Sequence, residues 1–335
     1  MEHSDNPERI VLINETTPPT ASRWLLSDGH AGNVRQVDAL AFALGNATDK
    51  HWTLESRRPW RWAAPRVLPA AHRAFGAEFA TALSQPPALA IGCGRQAALA
   101  TRLLRSRGAR TVQILDPRLD ARHWDLVIAP EHDGLEGEHV IQMIGSLHPV
   151  EARWLAAGRA AFPMLGLLPG PRTTLLVGGP SAHVALDAAS VLPWLSSLVR
   201  EVAQQGGSLL VTSSRRTPAA VSALLREQIR SVPHYVWHDG DPNPYAGLLG
   251  WADRIVCTPD SVNMLSEASA TDVPVEVIAP EQVKGRPARF LQRLLSLARI
   301  RRYAPAQGPW HVTPLRETAR VAELVRQRLE LPERT

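Results

Sequence analysis

The strongest constraint on the fold is a rhythm. Short apolar runs of strand length end in a glycine-bearing or polar loop, and each loop opens an amphipathic helix. Residues 24–26 lead through Asp28, Gly29, His30 and Gly32 into a helix that keeps Val37, Leu40, Ala41 and Leu44 on one face. PALAIGCGRQAALATRLLRSRG, TVQIL and DLVIAP continue the pattern in the first half. TTLLVGG, SLLVTSSRRTP, WADRIVCTPDSVNMLSEASAT and PVEVIAP repeat it in the second. Strands alternating with helices predict parallel sheets covered on both faces. The proline and glycine of LPGPR, residues 168–172, mark a linker. The expected fold is therefore α/β, with two doubly wound, Rossmann-like domains. A polar tail fills residues 1–20, the domains take residues 21–165 and 172–305, and a C-terminal segment with a helix fills residues 306–335.

The 335 residues are enough for two domains, each burying its own core. An apolar content of 44% and a charged content of 21% exclude a disordered chain. The net charge of +5 rests almost wholly on arginine, since Lys50 and Lys284 are the only lysines. Arginine forks suit phosphates and carboxylates, although the same bias arises from genomic base composition. Cys93 and Cys257 sit at or beside the ends of strand-like runs, which predicts reduced, buried thiols in a cytosolic protein. Neither a secretory signal, a transit pattern nor a membrane-spanning apolar run is read in the sequence. The expected location is cytoplasmic, with peripheral attachment to the inner face of a membrane as the variant.

The stretch 251–271 carries the clearest chemistry. A buried strand gives way to Thr258, Pro259 and Asp260, and a helix opens at Ser261, capped by Asp260 or Ser261. The free N–H groups of its first turn form an anion site. Asn263 and Glu267 follow on one helix face, one turn apart, at the reach of a ribose hydroxyl. A plain capped helix is the structural alternative. Ser213, Ser214, Arg215 and Arg216 lie between a strand and a helix, where hydroxyls, backbone N–H groups and guanidinium converge on phosphate, or where an arginine pair is simply exposed. Gly178 and Gly179 permit close backbone approach to a ligand, or a turn. Asp239 and Asp241 form a D-x-D that suggests a metal–diphosphate site, but the continuation PNPY (Asn243, Pro244, Tyr245) reads as an ordinary loop, and no metal ligands are assigned.

In the first half, Asp28, Gly29, His30, Gly32, Asn33 and Gln36 gather at the carboxyl end of a parallel strand, where open α/β sheets bind ligands. Gly92, Gly94 and Ala97 make a G-x-G-x-x-A pattern, and Asp116 follows at the offset of a dinucleotide fold's ribose acid. Arg95 beside that turn, and Arg118 further on, equally suit an anionic acceptor. Glu131, His132 and Asp133 close another strand at the same rim. Trp60 and Trp62 are interleaved with Arg57, Arg58, Arg61 and Arg66, a pattern for a membrane headgroup layer, an anionic acceptor or nucleic acid; ordinary tryptophan packing is the alternative.

Nine segments give the chain a family resemblance: SDGHAGNVRQ, the PWRW stretch, IGCGRQAALATR, DPRLDARHWDLVIAPEHD, LLVGG, LLVTSSRRTP, NPYAGLLGWAD, TPDSVNMLSEA and KGRPARF. They resemble the mitochondrial-fission "elongated mitochondria" family, grouped with the glycosyltransferases, whose bacterial members include lipooligosaccharide core transferases. The resemblance implies a two-domain glycosyltransferase-B fold, with the acceptor on the first domain and a nucleotide sugar on the second. It implies transfer to a lipid-linked or lipopolysaccharide core acceptor, no bound metal, and no cofactor beyond the nucleotide-sugar co-substrate. No nucleic-acid partner is expected. Asn243, Pro244, Tyr245, Ser261 and Glu267 would hold the donor, and Arg215 and Arg216 would neutralise the leaving diphosphate. Gly29, Gly32, Asn33, Gln36, Gly94, Arg95, Arg118 and His132 would face the acceptor. Asp28 matches the family's acidic position and is the expected base, with His30, Glu131 and Asp133 as alternatives. The chain has His30 where the family often has lysine, and Asn33 where it often has histidine. Two other readings stay open: an NAD(P)-dependent oxidoreductase built on Gly92, Gly94, Ala97 and Asp116, and a non-catalytic adaptor of the membrane- or organelle-division type.

Overall fold

A computed structural model of the chain describes residues 22–45, 47–237, 241–308 and 310–332. The polar tail and Asp239 of the D-x-D lie outside the described residues. Twelve strands appear among the described residues: β1 (Ser22–Ser27), β2 (Thr48–Thr53), β3 (Leu89–Cys93), β4 (Arg110–Ile114), β5 (Leu126–Pro130), β6 (Val140–Met143), β7 (Arg172–Val177), β8 (Ser208–Ser213), β9 (His234–Val236), β10 (Arg254–Cys257), β11 (Val275–Val277) and β12 (Arg301–Arg302). They form two six-stranded sheets, in the orders β2-β1-β3-β4-β5-β6 and β12-β11-β10-β7-β8-β9. Every strand pairing in both sheets is parallel.

Alternating side chains cover both faces of each sheet, as parallel strands require. In the first sheet Leu25, Ile91, Val112 and Ile128 pack under the Ala31–Leu44 helix. Trp24, Leu26 and Ala90 face the other way, toward Phe79 and Leu104. In the second, Leu176, Ile255, Cys257 and Val277 pack on Leu265, Phe290 and Leu291, while Leu175, Val177, Val211 and Val256 pack on Val191, Leu195 and Val221. Cys93 and Cys257 are buried free thiols.

Strand order reverses once in each sheet, and the two reversals set the position of everything that follows. In the first it lies between β1 and β3, so the loops carrying Asp28 and Gly94 part there. In the second it lies between β7 and β10, where the loops carrying Gly178 and Asp260 part. Such switch points leave a crevice at the carboxyl ends of the strands.

After the second sheet the chain returns to the first. Val321, Ala322 and Val325 of the Glu317–Arg328 helix are buried in the first domain's core. The same helix closes the exposed edge of β6. Arg320 donates to the Gln142 carbonyl at 2.7 Å, Arg328 to the Val140 and Glu138 carbonyls at 3.0 Å each, and the Ile144 N–H donates to Glu317 at 2.9 Å. Side chains thus take the hydrogen bonds a seventh strand would take, which removes a pairing template. Replacing Arg320 and Arg328 together by Ala should give concentration-dependent association in sedimentation velocity. A profile unchanged from that of the parent chain would contradict the edge-guard role.

Candidate functional site

The first switch point is built around one carboxylate. Gly29, at φ +78°, turns the chain out of β1, and the Ala31–Leu44 helix begins after His30, whose side chain makes no capping bond. Asp28 Oδ1 accepts from the His30 N–H at 3.1 Å and from Asn33 Nδ2 at 2.9 Å, and His30 Nδ1 lies 3.1 Å from the same oxygen. Burial pulls the Asp28 pKa upward, but the bonds from Asn33 and His30 together outweigh it and hold it below the usual carboxylate value. Asp28 is therefore ionised at neutral pH and a weak base by itself. The His30 ring is 81% exposed, and with Nδ1 turned to Asp28 its Nε2 is left for a substrate.

The second switch point is organised by Asp260, which is not the helix cap. Ser261 caps, accepting from the Met264 N–H at 3.4 Å. Asp260 instead faces inward, where its Oδ2 accepts from the Gly179 N–H at 2.8 Å and its Oδ1 from Thr258 Oγ1 at 2.7 Å. A Cβ on Gly178 would stand 1.9 Å from Asp260 Oδ2, and one on Gly179 would stand 2.4 Å from the Arg216 carbonyl oxygen. These glycines are required so that three loops can close on one another. Arg216 is drawn to Asp260 at 3.3 Å, which neutralises it. Arg215 is exposed and, among the described residues, has no polar partner; with Gly29, Val34 and Pro149 it lines a cleft of about 560 Å³ between the domains. Ser213 ends β8 half-buried, and Ser214 Oγ accepts from the Arg216 N–H at 3.1 Å.

Several residues expected at the ligand hold the two domains together instead. Glu267 has a side chain only 2% exposed, and both oxygens are taken: Arg35 of the first domain lies at 2.5 Å and the Tyr245 hydroxyl donates at 2.7 Å. The ribose role expected of Glu267 is corrected by this geometry, since neither oxygen is open. Tyr245, half-buried, is likewise a member of the clamp rather than a donor ligand. Asn243 Oδ1 accepts from the Tyr245 N–H at 3.0 Å, and Pro244 is buried at the start of the same helix. Asn263 packs so tightly on the first domain that a Cβ on Gly32 would lie 2.3 Å from its Nδ2. Gln36 is buried and donates to the Gly32 carbonyl at 3.4 Å.

The acids after β5 are also committed. Glu131 pairs with Arg293 at 3.2 Å, and Asp133 with Arg286 at 3.0 Å and with Arg118 at 4.0 Å. The His132 ring lies 5.5 Å from Phe290, and burial lowers its pKa. All three dock the Arg286–Ser296 helix, which removes Glu131 and Asp133 from consideration as a free base. Arg95 donates to the carbonyls of Trp62 and Ala64, so it fixes the Trp60–Ala63 turn rather than facing an acceptor. Trp60 is half-buried and donates to the Pro69 carbonyl at 3.1 Å, whereas Trp62 is 63% exposed. The dinucleotide pattern has a packing explanation. Gly92 lies within β3 against Thr101, the space over Gly94 is filled by Asn33, and Asp116 pairs with Arg118 at 2.9 Å. Among the described residues no three His, Cys, Asp or Glu side chains cluster to hold a metal.

Sequence reasoning missed Arg35, whose partner lies 232 positions away. No local pattern announces such a pair. Burial is the largest influence on Glu267 and raises its pKa, with Arg35 and Tyr245 opposing. Its contribution to stability is therefore present below the unfolded value near 4.5 and falls away as pH rises through the folded value. Arg35→Met should push that value higher and cost roughly 2–3 kcal/mol at about pH 8, below the full range for a buried pair because Arg35 is partly exposed. At about pH 4.5 the loss should be much smaller. Equal losses in urea unfolding at both pH values would contradict the clamp.

Comparison with known proteins fits this architecture. The family model described as "Mitochondrial fission ELM1" matches residues 31–329. The chain is 30% identical over 274 residues to the mitochondrial fission protein ELM1 of Arabidopsis thaliana, an alignment covering 72% of this chain and 64% of the plant protein. It therefore spans less than two thirds of that relative. An uncharacterized protein of Rickettsia prowazekii (strain Madrid E) is 23% identical over 358 residues, covering 92% of this chain and 98% of the other. Among solved structures, UDP-GlcNAc 2-epimerase from Neisseria meningitidis bound to UDP-GlcNAc superposes with a TM-score of 0.53 at 11% identity, covering 93% of this chain and 100% of that one. Os79 from O. sativa in complex with UDP gives 0.51 at 12% identity, covering 92% and 91%. At these identities the likeness is one of fold: two Rossmann-like domains facing a cleft, the glycosyltransferase-B arrangement.

Proposed function

The chain belongs to the mitochondrial fission ELM1 family, and from that premise and the two facing switch points we propose that it transfers a sugar from a nucleotide-activated donor to a hydroxyl acceptor. The observation that carries this reading is the pairing of an anion-ready helix start in the second domain with an ionised carboxylate and imidazole in the first. Donor phosphates would lie on the first-turn N–H groups of the Val262–Ser269 helix, beside Gly178, Gly179 and Ser214. Arg215, unlike Arg216, has no carboxylate to neutralise it and is the guanidinium left to meet a leaving diphosphate. In this reading the helix start and Arg215, rather than a metal ion, balance that charge.

His30 is the base and Asp28 its partner. In an inverting transfer the acceptor oxygen attacks the sugar C1 and its proton passes to His30 Nε2. The bond from C1 to the phosphate oxygen breaks, and the nucleoside diphosphate carries away the electron pair. Asp28 Oδ1, 3.1 Å from Nδ1, fixes the tautomer and balances the imidazolium that forms. The expected base was Asp28 itself; its lowered pKa and its contact with His30 favour the supporting role.

The acceptor in this reading is a lipid-linked or lipopolysaccharide core sugar met at the cytoplasmic face of a membrane. Support comes from the exposed Trp62, fixed by Arg95 to the loop rim of β3 next to Gly94. Around it Arg57, Arg58, Arg61, Arg66 and Arg73 are exposed, and residues 56–77 contain no acid. No helix among the described residues is long and apolar enough to cross a membrane.

A panel of nucleoside diphosphates and nucleotide sugars tests the donor half. At a hundredfold excess over Kd the matching nucleotide should stabilise the chain by about 2.7 kcal/mol. Asp28→Asn and His30→Gln should each lower turnover by about 100-fold or more with nucleotide binding intact. Failure of every nucleotide to stabilise the protein, or parent-like turnover in both variants, would overturn the reading.

A further inference from the structure

Beneath the Asp28–His30 pair lies a contact chain that the proposed chemistry does not by itself explain. Asn33 stands in the first turn of the Ala31–Leu44 helix, with its amide directed back at the end of β1. Its Nδ2 donates to Asp28 Oδ1 at 2.9 Å, and its Oδ1 accepts from Cys93 Sγ at 3.4 Å. The two contacts are complementary. A carboxylate accepts and does not donate, so the amide's NH2 must face Asp28, and its oxygen then meets the thiol hydrogen. Cys93 is fully buried, and burial, reinforced by the Asp28 charge, raises its pKa well above the ordinary thiol value, so it remains a donor. A third wall is Gly94, at φ +88°. A Cβ there would lie 2.7 Å from Asn33 Nδ2 and 3.7 Å from Asp28 Oδ2. Cys93 ends β3 and Gly94 follows it, across the switch point from β1, so the amide bridges the two strand ends that part there.

We propose that Asn33, its amide orientation fixed by Cys93 and its space kept by Gly94, is the positioning residue that holds Asp28 against His30. The proposal rests on the assignment of Asp28 and His30 to proton transfer, and it deepens that assignment by naming what aims the pair. Asn33 touches neither donor nor acceptor in this account. Its effect is to hold Asp28 Oδ1 toward His30 Nδ1, so that neutral His30 carries its proton on Nδ1 and presents the Nε2 lone pair to the acceptor. The titratable groups acting on Asp28 are His30, which lowers its pKa, and the Cys93 thiol, whose own ionisation Asp28 opposes.

The test is made on the full chain without donor or acceptor, so its outcome is separate from that of the transferase reading. Nitrogen-15 spectra report the His30 tautomer, and carbon-13 shifts of the Asp28 carboxyl report its titration. The parent chain should show His30 mainly as the Nδ1–H tautomer. Asn33→Leu should raise the Asp28 pKa by roughly half a unit or more and move His30 toward the Nε2–H form. Cys93→Ala, a smaller change that keeps the amide but removes the donor to its far oxygen, should shift both readouts in the same direction by less. Cys93→Ser restores a donor and should return both to parent values, a rescue that a purely packing role for the thiol would not give. A folded Asn33→Leu with the parent titration and tautomer would overturn the proposal. So would a Cys93→Ala chain that matches the parent in both readouts, or a Cys93→Ser chain that matches Cys93→Ala.

Discussion

The relative placement of the two domains depends on a carboxylate with almost no water. Glu267 is buried between the sheets' carboxyl ends, and only Arg35 from one domain and Tyr245 from the other make its burial tolerable. Because Arg35 and Asn33 share the first turns of one helix, the clamp that seats the second domain also fixes the helix that supports Asp28. Further pairs, Glu131 with Arg293 and Asp133 with Arg286, hold a second line of contact. The returning C-terminal helix makes a third, with Glu317 and Thr318 bonded to Ile144 and His148 in the segment that follows β6.

Within that frame each sheet contributes its switch point, and the two are chemically unlike. The second offers uncompensated N–H groups, three interlocked loops and one unneutralised arginine. The first offers a carboxylate whose charge is secured by an amide and shared with an exposed imidazole. In the proposed transfer the former would meet a nucleotide diphosphate, and the latter would take the proton of an acceptor hydroxyl. The proposed division of labour rests on strand order, because the residues assigned to it come from loops that part where the order reverses.

Much of this was legible in the sequence. Apolar runs of strand length followed by periodic helices gave two parallel sheets, and the glycine and polar residues after β1, β7 and β10 marked the loops that form the cleft. The roles of individual charges were less accessible. Glu267 sits at ribose-like spacing from Asn263, but its partner Arg35 lies in the other domain, and periodicity says nothing about such a pair. Glu131 and Asp133 look like strand-end catalytic acids until the Arg286–Ser296 helix is seen across from them. Asp260 and Ser261 are equivalent caps on paper; the approach of the Gly178–Gly179 loop decides between them, because Asp260 alone reaches it. Gly92 and Gly94 imitate a dinucleotide fingerprint, since close packing of helix on strand and of Asn33 on backbone demands the same absence of a Cβ.

The central claim is that the second domain's switch point holds the donor while the first supplies the base. Hydrogen exchange of the full chain with and without saturating nucleoside diphosphate tests it most directly. The account predicts slowed exchange at residues 178–179, 213–216 and 260–264, with residues 92–98 unchanged. Protection centred on residues 92–98 and 116, with the second domain unaffected, would contradict it and point to a dinucleotide site in the first domain.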